Sequence, residues 1–353
     1  MAAVERPVVA CISLEPWDEV WRRNQHLAWQ LVEQQLVSRL IFVEPPRLGK
    51  GWQRHSPRPH LEVVRPPLLG LKRLGALAAT GALLRRTVLR GIDALWVNDP
   101  QLGAHCLSRR TPAAYDVTDD WRTFNDVPRI QRRIITAEDR LAARASTIVC
   151  SQVLGERWAE RYGVRATVVQ NAVDASAFAR STPRELDGPG PHLGYIGTLH
   201  AYRLDVDLLL AVAQELGGTV HLVGPDCLDE ASRERLVRDG RIRLHGAVPA
   251  AEVPSWMQAM DVLLCPHLVN DFTLSLDAIK AHEYAAAGRP VVATPTSGFQ
   301  LTGGPGVVPA GDFVAAIRAA LTGGGPAAGP VASWADRAPV FAGLLGAARV
   351  SAR

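Results

Sequence analysis

Short continuous apolar runs alternate along the chain with longer segments of helical period. Pro7–Leu14 (PVVACISL) is expected as a buried strand, since a brief apolar run bounded by turn formers suits a strand covered on both faces. Glu19–Leu36 follows as a helix with Trp21, Leu27, Leu31 and Val32 among its apolar positions. Strands at Arg39–Val43 and Leu61–Val64 flank a Pro/Gly-rich loop at Pro45–Pro59, and Leu68–Arg90 reads as one or two basic amphipathic helices. Further strands are expected at Ala94–Val97, Ala113–Val117, Thr147–Cys150 and Thr167–Val169, with helices at Arg129–Ala145 and Gln152–Tyr162.

Residues 171–191 interrupt this pattern, and Ser181–Pro191 (STPRELDGPGP) is a linker by composition. Alternation restarts with strands at His192–Ile196, Val220–Val223, Ile242–His245, Asp261–Cys265 and Val291–Thr294. The intervening helices are Leu204–Leu216, Asp229–Asp239 and Ala251–Met260, and later ones span Phe313–Leu321 and Ala332–Val350, parted by a hinge at Gly323–Gly329. Repeated strand–helix alternation predicts an α/β protein with two doubly wound, Rossmann-like domains facing each other across a cleft. The expected division is 1–175, a linker 176–191, 192–330, and a terminal helix 331–353 with the option of crossing back to the first domain.

One stretch, Asn270–Pro295, departs from plain packing. Gly288 and Pro290 end a helix, and Val291, Val292 and Ala293 follow as a buried strand. Thr273 and Ser275 are competent N-caps, and Asp277 falls in the first turn, where negative charge suits the dipole. At about 100° per residue, Leu276, Ile279, Glu283 and Ala287 share a stripe, so a carboxylate sits on the face that packs inward. Such a group needs donors, from the protein or from a ligand. Lys280 stands three residues before it, close enough for an internal Lys–Glu pair and equally placed to hold an anion.

Composition adds weight to Lys280. The chain has three lysines, Lys50, Lys72 and Lys280, against thirty-six arginines, which points to a need for a compact ammonium at that position. The five cysteines (Cys11, Cys106, Cys150, Cys227, Cys265) show no ligand spacing and are expected reduced and buried. No signal-peptide pattern opens the chain and no apolar run reaches a membrane span, so a cytoplasmic protein is expected. Net charge is +4, unevenly shared: residues 1–172 hold 25 basic against 17 acidic side chains, residues 173–353 hold 14 against 18. The basic half lacks stacking aromatics in a nucleic-acid module, so nucleic acid is not expected. Leu68–Arg90, with Lys72, Arg73, Arg85, Arg86 and Arg90, is either a core-covering helix with a charged outer face or a peripheral contact for an anionic membrane.

Candidate chemistry gathers at strand ends. Gly197-Thr198, Gly224-Pro225 and Gly246–Pro249 (which includes Val248) each follow a strand of the second half, as does Pro266-His267, and glycine there lets a ligand reach backbone amides. Arg203 follows the first of these ends, where it can hold a phosphate. In the first half, Asp116, Asp119, Asp120 and Trp121 close a strand; an N-cap, acceptor recognition and proton transfer all remain open for Asp119 and Asp120, and adjacent rather than convergent carboxylates argue against a metal. Trp17, Asp18 and Arg22–His26 form the other polar group near a strand end. No dinucleotide fingerprint, P-loop, GxSxG or HExxH motif is present.

Together these residues resemble retaining GT-B glycosyltransferases of family 4, nearest to the branch of the teichuronic-acid glycosyltransferases. The resemblance runs through Trp17, Arg23–Leu27, Phe42–Pro46, Tyr115-Asp116, Asp119-Asp120, Glu138, Cys150-Ser151, Gln170–Asp174, Gly194–Gly197 and Val223–Pro225. It is most specific in Phe272-Thr273, Ser275, Lys280, Glu283-Tyr284, Ala287-Gly288 and Pro290–Val292. It implies a nucleoside-diphosphate sugar donor, UDP-linked above all, with Glu283 on the ribose, Arg203 and Lys280 on the diphosphate, the amides at Thr273–Leu276 completing the anion site, and Phe272, Thr273, Leu274 and Ser275 among the donor-binding residues. It implies a sugar, aglycone or lipid-linked acceptor met by Trp17, Arg23, His26 and Trp121, with neither metal nor cofactor. Three departures stand out: Ser275 replaces the first glutamate of the paired-glutamate motif, Thr198 replaces an arginine, and no glycine pair follows the first strand. A nucleotide-sugar 2-epimerase of the same architecture and a silent nucleotide-sugar-binding subunit therefore stand as alternatives.

Overall fold

The computed structural model describes residues 6–49, 51–69, 75–123, 128–296, 298–299, 306–324 and 331–350. Lys72 and Arg73 of the basic stretch, Lys50, and most of the expected hinge lie outside these residues. The chain forms two compact units: one runs to Gln170 and resumes at Trp334, the other is Asn171–Ser333.

In the first unit, β1 (Val8–Ile12), α1 (Arg23–Glu33), β2 (Arg39–Val43), β3 (Gln53–Arg58), β4 (Leu61–Arg65), α2 (Ala76–Arg86) and β5 (Ala94–Val97) come first. Then follow α3 (Pro100–Cys106), β6 (Ala113–Val117), α4 (Pro128–Ala142), β7 (Ser146–Val149), α5 (Gln152–Tyr162) and β8 (Thr167–Val168). Among the described residues these strands make one sheet in the order β3-β4-β2-β1-β5-β6-β7-β8, parallel except for the β3–β4 hairpin. The apolar runs of β1, β2, β5 and β6 are buried because helices cover both faces of a parallel sheet.

Two expectations are corrected here. The loop expected over 45–59 contains β3, whose residues Gln53–Ser56 are exposed: an edge strand with no apolar run carries no hydrophobic signal. The first helix begins at Arg23 rather than Glu19, because Gln25 uses its whole carboxamide to shape the entry, accepting from the Arg22 amide (3.0 Å) and donating to the Pro16 (3.0 Å) and Val20 (3.2 Å) carbonyls. Helix Trp334–Val350 belongs to this unit. Trp334 stacks on His26 with ring centres 5.0 Å apart, Phe341 meets Trp96 at 4.8 Å, and Gln34 donates to the Ala335 carbonyl.

The second unit comprises α6 (Ala175–Arg180), β9 (His192–Ile196), β10 (Leu199–His200), α7 (Val206–Leu216), β11 (Thr219–Val223), β12 (Asp226–Cys227) and α8 (Glu230–Arg238). It continues with β13 (Ile242–Gly246), α9 (Val253–Ala259), β14 (Val262–Cys265), α10 (Asp271–Ser275), α11 (Ile279–Ala287), β15 (Val291–Ala293) and a helix at Phe313–Ala319. Its parallel sheet has the order β13-β11-β9-β14-β15, so the winding reverses between β9 and β14. That crevice is where open α/β sheets take ligands. The stretch 176–191, expected as a linker, packs in part on this unit: Phe178 and Leu186 lie against its core, and the Phe178 carbonyl accepts from Gln258. Four of the cysteines are buried as expected; Cys227 is exposed, because the two-residue β12 lies outside the main sheet.

Candidate functional site

The stretch expected as one helix is two. Asn270, not Thr273 or Ser275, caps α10: its carboxamide oxygen accepts the Thr273 amide at 3.0 Å, and the Thr273 hydroxyl accepts the Asn270 amide at 3.0 Å. Thr273 and Ser275 turn their hydroxyls onto the carbonyls of Leu268 and Phe272, both at 2.7 Å. The helix stops at Leu276, and Asp277 sits in the break as a buried anchor rather than in a first turn. It accepts from the Asn171 amide and meets His282 at 3.0 Å, while the Asn171 carboxamide donates to its carbonyl. Helix α11 then starts at Ile279, and its N-cap, Ala278, offers no side-chain bond. The amides of Thr273 and Leu274, expected to help bind an anion, are already paired with Asn270.

Beyond that break, side chains converge at the reversal beside β9. The Lys280 ammonium is buried, has no hydrogen-bond acceptor among the described residues, and lies 3.7 Å from the centre of the Tyr195 ring. The Nε of Arg203, on the loop after β10, is likewise buried without an acceptor, and no carboxylate pairs with this guanidinium among the described residues. His200 and His267 complete the cluster; Tyr195 Oη lies 3.1 Å from His267 Nε2 and donates to the Thr198 carbonyl at 3.2 Å. Burial, helped by the charge of Arg203, brings Lys280 down to about 7, against partial restoration by Cys265 and Glu283. Burial and then the charges of Arg203 and Lys280 lower His200 to about 4, and His267 is held well below its usual range, burial again leading. Both imidazoles stay neutral near pH 7, so the positive charge of the cluster comes from Arg203 and from the protonated form of Lys280.

Glu283 engages in no hydrogen bond or ion pair among the described residues, and burial raises its carboxyl pKa against the pull of Lys280 and His282. The Lys–Glu pair is thus a neighbourhood, not a contact. Gly197 and Gly224 are glycines of necessity, at φ +142° and +143°. A Cβ on Gly197 would come within 2.6 Å of Lys280 Nζ, and one on Gly224 within 2.2 Å of the Gly197 carbonyl oxygen. Thr198 presents its carbonyl to Tyr195, exposed Pro225 accepts from the Leu199 amide, Val248 packs partly on the core, and Phe272 lies 6.1 Å from the Tyr202 ring.

The residues expected on the acceptor side are more dispersed, all within the first unit. Arg23 forms a buried pair with Asp116, two nitrogens on one carboxylate at 2.9–3.1 Å. Asp120 is buried and accepts from Arg157, Arg161 and the Arg122 amide. His26 packs against Trp21 and Trp334. Trp17 sits edge-on to Trp21 and Phe42 with its amide on Glu44, and the carbonyl of Trp121 accepts from Gln131. Asp119 accepts the Thr118 hydroxyl at 3.0 Å. The strand-end carboxylate that sequence reasoning missed is Glu15, which burial raises despite Arg22, with Asp119 and Asp18 adding to the rise. Among the described residues no three His, Cys, Asp or Glu side chains form a group that could hold a metal.

Comparison with known proteins fits this geometry. Residues 190–323 match the family described as Glycosyl transferases group 1. Over 199 residues the chain is 30% identical to the protein named teichuronic acid biosynthesis glycosyltransferase TuaH of Bacillus subtilis (strain 168), covering 51% of this chain and 49% of that one; the chain thus spans about half the length of this relative. Among solved structures, sucrose-phosphate synthase from Thermosynechococcus elongatus is 18% identical with a TM-score of 0.68, covering 98% of this chain and 97% of that one. Anabaena HepE, solved in complex with UDP and glucose, is 17% identical with a TM-score of 0.64 and 98% coverage of both chains. These likenesses establish the fold, the two Rossmann-like domains of GT-B glycosyltransferases.

Proposed function

Taking residues 190–323 as a domain of the group 1 glycosyl transferases, we propose that the protein is a retaining glycosyltransferase that moves a hexose or amino-hexose from a nucleoside-diphosphate sugar to an acceptor recognised by its first unit. The observation that carries this reading is the pair of cations beside β9: Lys280 Nζ and Arg203 Nε are both buried and both lack an acceptor among the described residues. Two such charges without a counterion call for a dianionic ligand, and a diphosphate supplies it.

Glu283, with no hydrogen bond or ion pair among the described residues, accepts from the ribose hydroxyls. Gly197 and Gly224 leave room for the diphosphate to approach the strand ends. As the bond between the sugar's anomeric carbon and the phosphate oxygen breaks, Arg203 and Lys280 stabilise the negative charge left on the nucleotide. The acceptor oxygen forms its bond on the same face, and its proton passes to the departing phosphate. The reading assigns leaving-group charge to these two side chains and calls for no cofactor. UDP is the favoured nucleotide, and the acceptor is a sugar, an aglycone or a lipid-linked intermediate handled in the cytoplasm.

A silent nucleotide-sugar-binding role has one observation in its favour: Ser275, at the place of a family glutamate, gives its hydroxyl to the Phe272 carbonyl. Incubation with UDP-, GDP- and dTDP-sugars, with and without acceptor pools, separates these readings. Acceptor-dependent nucleotide release supports transfer, donor turnover without acceptor supports epimerisation, and tight binding without turnover supports the silent role.

A further inference from the structure

Lys280 poses a physical problem that the proposed donor site does not solve by itself. Its ammonium has no hydrogen-bond acceptor among the described residues, stands in the field of Arg203, and sits beside two imidazoles that stay neutral. The titratable and charged groups that act on it or lie around it are Tyr195 from β9, His200 from β10, Arg203 from the following loop, Cys265 and His267 at the end of β14, and Glu283 on its own helix. None of them gives it a hydrogen bond. An ammonium so placed should either lose its proton or swing toward water.

Tyr195 opposes both. Its ring is fully buried, and the ammonium stands over its face at 3.7 Å, close range for an attraction that strengthens where water is excluded. Burial in the core holds the ring in place, and its hydroxyl also meets His267 Nε2 and the Thr198 carbonyl. The ammonium's own direction is set by Gly197, whose missing side chain leaves the space at the strand end into which Nζ projects. We infer that Tyr195 is a positioning residue for Lys280: its ring face favours the ammonium over the neutral amine and holds it aimed at the end of β9, ready for the oxygens of a diphosphate. This rests on the donor reading given above for its consequence in catalysis, though not for the ring–ammonium pairing itself.

The scarcity of lysine makes the test direct. Protein labelled with ¹³C at lysine Cε carries three such carbons, from Lys50, Lys72 and Lys280. Lys280→Met identifies the third resonance. In the intact protein that resonance should be displaced upfield by the ring current and should titrate near pH 7, below the ordinary lysine range. Tyr195→Phe keeps the ring and should preserve both features. Tyr195→Leu should abolish the upfield displacement and lower the titration midpoint by roughly half a unit or more, since the neutral form then meets less competition. The alkaline limb of donor kcat/KM should move with it and return in the Phe variant.

A Lys280 resonance with no ring-current displacement in the unmodified protein overturns the inference, whether or not the Leu variant folds. So does a midpoint shared by the unmodified and Leu proteins. Saturating UDP should raise the midpoint, because a bound diphosphate favours the charged ammonium. If UDP, GDP and dTDP all leave it unmoved, the donor reading falls and takes the role assigned to Tyr195 with it, while an observed ring-current shift still records the pairing.

Discussion

Arg23 and Asp116 join α1 to the end of β6 through a pair buried from solvent, with two guanidinium nitrogens on one carboxylate. Neither group could remain charged there alone. Arg23→Ala should therefore destabilise the protein by about 3–5 kcal/mol, because it strands a buried carboxylate. Replacing both, as Arg23→Met with Asp116→Leu, should cost less than the single change. Denaturant unfolding of the three variants decides it; equal losses would mean the pair is not coupled.

Lys280→Ala and Arg203→Ala should each lower turnover roughly 10²–10³-fold, the usual cost of removing one stabilising group from a developing anion. Unfolding midpoints should hold or rise, since each change removes a buried cation without an acceptor. Steady-state kinetics beside thermal melts separates the two effects, and unchanged kinetics would take both residues out of the site.

Gly197→Ala meets two obstacles at once: a backbone at φ +142° and a new methyl 2.6 Å from Lys280 Nζ. Strain at such a position costs on the order of 1–3 kcal/mol. The melting temperature should fall and donor KM should rise as the ammonium is pushed aside. A variant with unaltered donor KM would show that the end of β9 does not adjoin the nucleotide.

Three histidines link neighbouring strands of the second unit: His192 Nδ1 lies 3.0 Å from His221 Nε2, and His221 Nδ1 lies 3.0 Å from His245 Nε2. Burial first, then the neighbouring His245, His192 and Arg243, holds His221 down at about 4. Between pH 6.5 and 4 the unfolded chain binds a proton at this position that the native protein does not. The stabilisation is whole above 6.5 and is lost as pH falls toward 4. Unfolding midpoints measured from pH 7.5 to 4.5 should decline on acidification, and His221→Gln should flatten that decline. Parallel slopes for the two proteins would contradict it.

Dialysis against EDTA should leave transfer rates unchanged, since side-chain cations are assigned to the leaving group. A loss of activity restored by a divalent ion would show that Arg203 and Lys280 do not suffice.

Most of the architecture was legible because buried parallel strands write themselves as unbroken apolar runs. Arg39–Val43, Ala94–Val97, Ala113–Val117 and His192–Ile196 occur with the bounds read from the chain. Elements with little apolar content went unseen, as with exposed β3, or gave weak boundaries, as at the split between α10 and α11. That split depends on Asn171, more than a hundred residues away, gripping Asp277. A local pattern cannot report such a contact.

From the sequence alone came the alternation that sets two Rossmann-like domains and the singular lysine next to a carboxylate on an apolar stripe, because periodicity and residue choice are local properties. Tertiary structure alone decided which charges were spoken for. Arg23 and Asp120 proved to be paired inside the first unit, whereas Lys280 Nζ, Arg203 Nε and the Glu283 carboxylate have no hydrogen-bonded partner among the described residues. The physical reason is that a charge is satisfied by what surrounds it in space, and those neighbours come from distant parts of the chain.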